Sequence, residues 1–181
     1  MDLSGYKLTF DHEFNTFSAS PQGGPGQFKT TFYHGDHGGR TLSGNGEWEQ
    51  YSDASVGIDP FKLENGALDI TAAPSADPSQ TQGLPYTSGL ITTENNFTQQ
   101  YGYFEMRAKL PEGKGMWPAF WLLPEDKSWP PEIDPLEAFG ATNSRGEGGA
   151  HTYHYGAVGG GGDWVQVDGD LYKDYHTYGV D

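Results

Sequence analysis

The stretch from Trp129 to Gly140, W-P-P-E-I-D-P-L-E-A-F-G, places three acidic residues in an otherwise apolar run. In a regular strand successive side chains alternate between faces, so Glu132 and Asp134 share one face while Glu137 points to the other. A β-bulge between Asp134 and Glu137 would add one unpaired residue and return Glu137 to the first face. Pro135 marks the place, because proline lacks the N–H of a ladder hydrogen bond and occurs in sheets mainly at edges and bulges. The stretch therefore predicts a bulged strand with three carboxylates on one face.

Carboxylates in this arrangement indicate a reaction type. Two flanking carboxylates are the groups that hydrolyse glycosidic bonds, one as nucleophile and the other as acid and then base. A third carboxylate between them adds like charge and a hydrogen bond that tune the pair. The alternative is a solvated strand face with three surface acids. The apolar residues around the acids count against that alternative; they are Trp129, Ile133, Leu136 and Phe139.

Length and composition indicate a single β-rich domain over residues 1–181. Aromatic residues make up 14% of the chain, and its 27 Gly and 12 Pro favour strands and turns. No long pattern with a helical period is present. Asn65-Gly66, between two short strand-like segments, predicts a two-residue hairpin turn. The glycine run 159–162 predicts a flexible loop.

Charge narrows the range of binding partners. The formal net charge of −15 would repel nucleic acid, anionic membranes and strongly anionic polysaccharides. A neutral or weakly acidic polymer fits this surface better. The chain has no cysteine, which excludes disulfides. It contains no apolar stretch long enough to span a bilayer, and its first residues do not resemble a secretory signal.

Two further segments alternate like strands. From Tyr101 to Leu110, Glu105 and Arg107 share a polar face, and the apolar residues between them form the opposite, core face. From Met116 to Leu123, Trp117 and Trp121 share a face. They are candidates for a wall on which a sugar ring stacks, and the alternative is that both indoles are buried in the core.

These segments together resemble glycoside hydrolase family 16, whose members carry E-[apolar]-D-x-x-E on a bulged strand, commonly after W-P-P. Further family-like segments follow the expected order: N-G-E-W-E-Q-Y from Asn45, Y-T-S-G-L-I-T-T from Tyr86, Y-G-Y-F-E-M-R-A-K-L-P from Tyr101, G-M-W-P-A-F-W-L-L-P from Gly115 and H-T-Y-G-V from His176. Pro135 departs from the family, which usually has an aliphatic residue there. The resemblance implies an all-β fold: an antiparallel two-sheet β-sandwich of jelly-roll, concanavalin-like type with a concave substrate cleft.

The resemblance also implies roles for individual residues. Glu132 is the expected nucleophile, Glu137 the acid and base, and Asp134 the residue that tunes them. The expected substrate-binding residues are Asn45, Glu105, Arg107, Trp117, Trp121, Trp129 and His154. No cofactor is required for the chemistry. A structural calcium ion is expected on the convex side, with Glu13 as a candidate ligand among the roughly six to eight oxygens that calcium takes.

The family resemblance favours secretion and an endo-acting, retaining hydrolysis of β-1,3- or mixed β-1,3/1,4-glucan. The alternatives are depolymerisation of a bacterial exopolysaccharide such as succinoglycan, and a non-catalytic carbohydrate-binding module. In the family the segment H-T-Y-G-V-D continues into further strands of both sheets. A domain incomplete at its C-terminus is therefore expected, with a second chain or segment supplying the missing strands.

Overall fold

A computed structural model describes residues 2–140, 148–156, 159–166 and 171–181. Regular structure in these ranges consists of thirteen β-strands and two three-residue 3-10 helices, Ser43–Asn45 and Ala54–Val56. Contacts divide the chain into two compact units, Met1–Gln99 and Gln100–Asp181. That the chain forms a single domain, as its length suggests, stays a prediction.

The first unit contains seven short strands. They are β1 (Ala19–Ser20), β2 (Phe28–Lys29), β3 (Glu49–Tyr51), β4 (Phe61–Glu64), β5 (Ala67–Ile70), β6 (Ala73–Pro74) and β7 (Tyr86–Ser88). Strands β4 and β5 form an antiparallel hairpin, β3 and β6 flank β7, and the β1–β2 and β3–β7 pairs are parallel. The hairpin turn is Asn65-Gly66, with φ of 52° and 76°. Positive φ at both central residues is the requirement of a type I′ turn, which confirms the predicted hairpin.

A buried ion pair supports the loops of this unit. The Nη1 atom of Arg40 lies 3.0 Å from Oδ2 of Asp53, and it also donates to the carbonyl oxygen of Tyr51. Burial opposes ionisation of Asp53, but hydrogen bonds from Ser55, Thr30 and Arg40 outweigh it and lower the pKa of this carboxyl. The buried carboxylate of Asp53 and the guanidinium of Arg40 are therefore both hydrogen-bonded, as buried charged groups usually are.

The second unit contains the three acids and six strands. The strands are β8 (Phe104–Ala108), β9 (Ala119–Leu122), β10 (Glu132–Glu137), β11 (Gly148–Gly156), β12 (Gly159–Gln166) and β13 (His176–Val180). Four of them form an antiparallel sheet in the order β12-β11-β10-β9, and β13 pairs antiparallel with β8. Strand β10 is therefore an inner strand with neighbours on both sides.

One apolar cluster joins these two sheets. Its buried side chains come from β10, β13 and the loops between strands; they are Leu110, Leu136, Ala138, Leu171, Tyr172 and Tyr178. Three partly buried residues of β8 and β9 pack against them: Met106, Ala108 and Phe120. Burial, and then the charge of the neighbouring Tyr172, raises the pKa of Tyr178 to about 12. The predicted core face of the Tyr101–Leu110 strand is confirmed.

The prediction of a loop over residues 159–162 is wrong, because these glycines form the first half of β12. Their backbone pairs with β11, from Gly159 opposite Gly156 to Gly162 opposite Thr152. Glycine loses more conformational freedom than other residues when it is fixed in a strand. A hairpin partner that satisfies the backbone hydrogen bonds overcomes that cost here.

Candidate active site

A β-bulge in β10 places the acids. Against β11, Asp134 pairs with Thr152 and Glu137 pairs with Ala150, so three steps along β10 match two along β11. Against β9 the same excess lies between Ile133 and Leu136. The extra residue restores Glu137 to the face of Asp134, and Pro135 lies within it. The predicted bulge at Pro135 is confirmed.

Burial varies from residue to residue along β10. Leu136 and Ala138 are fully buried in the apolar cluster. Glu132 and Glu137 are half-buried, and Asp134 between them is only 4% exposed. The outer two acids are thus open to a large substrate, whereas the middle acid is enclosed by protein.

Two of the acids meet at one hydroxyl group. Oγ1 of Thr152 contacts Oδ2 of Asp134 and lies 2.8 Å from Oε2 of Glu137. Thr152 sits directly opposite Asp134 on β11, and residues opposite each other in an antiparallel pair point to the same side. The contact shows that Asp134 and Glu137 do share a face.

The third acid is held by an indole. Nε1 of Trp129 donates a hydrogen bond of 2.8 Å to Oε2 of Glu132. An indole N–H can only donate, so this carboxylate oxygen serves as an acceptor. The ring of Trp129 is 53% exposed and is available to a ligand beside Glu132.

Three aromatic rings form a row beyond the other end of the acids. Trp117 and Phe139 have ring centroids 5.5 Å apart, and Phe139 stacks on Trp164 at 6.5 Å. Trp164 pairs with Ala150, which pairs with Glu137, so its ring lies on the acid face two strands, roughly 10 Å, from Glu137. We call these three residues the aromatic row.

The predicted binding residues of β8 have partners on their own sheet. Glu105 accepts a 2.8 Å hydrogen bond from the hydroxyl of Tyr103, and this hydrogen bond raises the pKa of Tyr103. The guanidinium of Arg107 lies 4.5 Å above the ring of Tyr175. Both charged residues are exposed. Their roles in sugar binding stay predictions.

The remaining predicted residues belong to both units of the chain. Trp121 is half-buried on β9, and Asn45 and Glu13 are exposed residues of the first unit. The backbone of His154 pairs opposite Glu132, but its side chain lies outside the described part of the structure. The predicted sugar contacts of Trp121, Asn45 and His154 stay predictions.

The structure adds three residues that the sequence did not suggest: Thr152, Phe139 and Trp164. Phe139 belongs to the stretch from Trp129 to Gly140, two residues beyond Glu137 and hence on its face, so alternation after the bulge is the signal that could have identified it. Thr152 and Trp164 depend on the pairing of β11 with β10 and β12. No local pattern reveals that register.

No group of three or more His, Asp or Glu side chains suited to a metal ion occurs among the described residues. Glu13 alone offers at most two of the oxygens that calcium needs. The described residues do not fit the expected calcium site, which stays a prediction. None of the helices in the described ranges has the length and apolarity to cross a membrane.

Comparison with known proteins gives consistent matches. The model of "Glycosyl hydrolases family 16" matches residues 47–181. The endo-1,3-1,4-β-glycanase ExsH of Rhizobium meliloti (strain 1021) is 41% identical, over 99% of this chain and 39% of that protein. The endo-1,3-1,4-β-glycanase EglC of the same organism is 42% identical, over 77% of this chain and 31% of that protein. The chain thus spans less than half the length of either relative.

Solved structures give the same result. The laminarinase catalytic domain from Thermotoga maritima MSB8 superposes with a TM-score of 0.74 at 32% identity, covering 96% of this chain and 68% of that one. This likeness, together with the strand content, confirms the predicted all-β jelly-roll sandwich class.

Proposed function

The chain belongs to glycosyl hydrolase family 16, and from that premise we propose that it cleaves internal bonds of a β-1,3- or mixed β-1,3/1,4-glucan with retention of configuration. The observation that carries the proposal is the bulged strand β10, which presents Glu132 and Glu137 on one accessible face. The names of the relatives, endo-1,3-1,4-β-glycanases and a laminarinase, support this substrate class.

The hydrogen-bond partners of the two outer acids support different roles for them. Glu132 accepts from an indole N–H, a partner that suits an ionised nucleophile. Glu137 contacts a hydroxyl, which can donate or accept and so suits a group that is protonated in one step and ionised in the next. Glu132 would attack the anomeric carbon, while Glu137 protonates the departing oxygen and then activates water.

No cofactor is needed for catalysis by glycosidases of this family. In the proposed mechanism Asp134, buried between the outer acids, supplies fixed negative charge and a hydrogen bond. A polysaccharide is the partner, and its sugar rings would stack on Trp129 at one end and on the aromatic row at the other. Secretion is proposed with this substrate, because polymeric glucans lie outside the cell.

The test is hydrolysis by the purified chain. Laminarin, lichenan and succinoglycan are incubated separately with it, and reducing ends and binding are both measured. Release of oligosaccharides from laminarin or lichenan supports the proposal, and release from succinoglycan alone reassigns the substrate to a bacterial exopolysaccharide. Binding of a glucan without release of reducing ends contradicts catalysis and favours a carbohydrate-binding module.

Replacing Trp164 by alanine should raise KM for the polysaccharide about five-fold, because a stacking surface worth roughly 1 kcal/mol is lost. The value of kcat should change little, since the ring lies two strands from Glu137. Val165→Ala is the matched control. Val165 is the next residue of β12, is 46% exposed and points to the opposite face. Equal effects of the two substitutions on KM would contradict a sugar-stacking role for Trp164.

A further inference from the structure

The hydroxyl of Thr152 lies between two carboxylates and contacts both. Its Oγ1 is within hydrogen-bonding distance of Oδ2 of Asp134 and of Oε2 of Glu137. Asp134 is almost completely buried, and Thr152 is half-buried. Burial therefore shields the Asp134 side of this arrangement, whereas Glu137 is half-buried.

The number of hydrogens available limits what these contacts can be. A threonine hydroxyl carries one hydrogen and accepts through its lone pairs. If both carboxylates were ionised, one of the two contacts would place oxygen lone pairs against each other with no hydrogen between them. With one proton on the pair of acids, each contact contains one hydrogen and both are satisfied.

We propose that Thr152 is a positioning residue that holds the acid proton on Glu137 by accepting a hydrogen bond from its carboxyl while donating one to Asp134. The inference rests on the proposed function, in which Glu137 is the acid. When the glycosidic bond breaks, the O–H bond of Glu137 breaks too and the departing oxygen gains that proton. Thr152 keeps its own hydrogen. Glu137 later takes a proton from the attacking water, which restores the first arrangement.

The nearest further charge on the acid face is Glu132, which lies on the same strand as the pair. Asp163 follows Gly162, the residue of β12 that pairs with Thr152, and its side chain therefore points to the opposite face of the sheet. Asp163, Asp134 and Thr152 line one cavity of about 610 Å³. Additional negative charge close to a carboxyl favours its protonated form.

The other elements next to Thr152 differ in the charge that they bring near that cavity, and Glu105, whose backbone pairs opposite Gly179, is a further carboxylate. Strand β9 carries no titratable residue, and β13 contributes Gly179 and Val180, which Asp181 follows. His151 and His154 are near Thr152 in the sequence of β11, and their side chains lie outside the described residues. Changes made at Thr152 itself therefore isolate its hydroxyl while all of these groups are kept.

The experiment compares the chain with its Thr152→Val and Thr152→Ser variants. Each is labelled with ¹³C at the glutamate carboxyl and titrated by NMR, and the signal of Glu137 is assigned by its loss in Glu137→Gln. In Thr152→Val, which keeps the shape but removes the hydroxyl, the Glu137 signal should titrate about half to one pH unit lower, the size of one hydrogen bond between uncharged groups. The alkaline limb of kcat/KM should move by the same amount. In Thr152→Ser the Glu137 signal should titrate at the same pH as in the parent chain.

An unchanged titration midpoint of Glu137 in Thr152→Val would overturn the proposal. A midpoint in Thr152→Ser that is lowered as much as in Thr152→Val would overturn it too. A role in packing alone would lower the melting temperature of Thr152→Val and leave the midpoint in place. The NMR titration needs no substrate. If the parent chain released no reducing ends from any glucan, the proposed function would fail while the titration still decided the role of Thr152.

Discussion

Replacing Glu132 by glutamine is expected to lower kcat on glucan by at least about a thousand-fold, because an amide cannot attack the anomeric carbon. The substitution should leave the fold intact. The side-chain carbonyl of glutamine can still accept the hydrogen bond from Nε1 of Trp129. Binding of the polysaccharide should therefore persist, with KM or the dissociation constant changed only slightly. Steady-state kinetics and a binding assay on the same preparation measure both quantities.

Glu125→Gln is the control for this change. Glu125 is an exposed acid in the turn after β9, and its replacement removes the same charge from the same unit. It should keep the activity of the parent within about two-fold, as surface substitutions away from special features usually do. If Glu132→Gln retained more than a tenth of the parent kcat, Glu132 could not be the nucleophile.

Glu137→Gln is expected to lower kcat on the polysaccharide by about 10²- to 10⁴-fold, the usual contribution of a general acid. The loss should depend on the leaving group. A dinitrophenyl glycoside of a glucan oligosaccharide departs without protonation, so Glu137→Gln should form the covalent intermediate from it almost as fast as the parent does. A burst of released dinitrophenol measures that step.

The dinitrophenol burst of Glu132→Gln, compared with that of Glu137→Gln, distinguishes loss of the nucleophile from loss of the acid. The nucleophile variant should show no burst, because its defect lies in forming the intermediate. Thr152→Ser serves as a second comparison, since it keeps a hydroxyl next to Glu137. If Glu137→Gln lost as much activity on the dinitrophenyl substrate as on the polysaccharide, Glu137 would not be the acid.

The local features of the fold could be predicted from sequence because each depends on neighbouring residues. The bulge follows from the spacing of Glu132, Asp134 and Glu137 together with Pro135, and the register of β10 against both neighbours confirms it. The Asn65-Gly66 turn follows from a conformational requirement that few residues meet. In both cases the chemistry of a few consecutive residues determines the backbone.

Features that depend on strand pairing could not be predicted in this way. The contact of Thr152 with two acids, and the stacking of Phe139 on Trp164, arise from the register of β10, β11 and β12. The predicted loop over the glycine run 159–162 is wrong for the same reason, because the strand conformation of these residues is stabilised by pairing with β11 rather than by their own propensity. Alternation in the sequence predicts which side chains share a face of one strand, but it does not predict which residues of neighbouring strands lie next to each other.

The anomeric configuration of the first product tests the central claim most directly, namely that Glu132 and Glu137 on bulged β10 hydrolyse a β-glucan with retention. Lichenan or laminarin is mixed with the chain in an NMR tube, and the anomeric proton signals are followed from the first minutes. With retention, the β-anomer of the new reducing end appears first and the α-anomer grows only as mutarotation proceeds. An α-anomer that appears first would contradict retention, because it would require an inverting pair of acids.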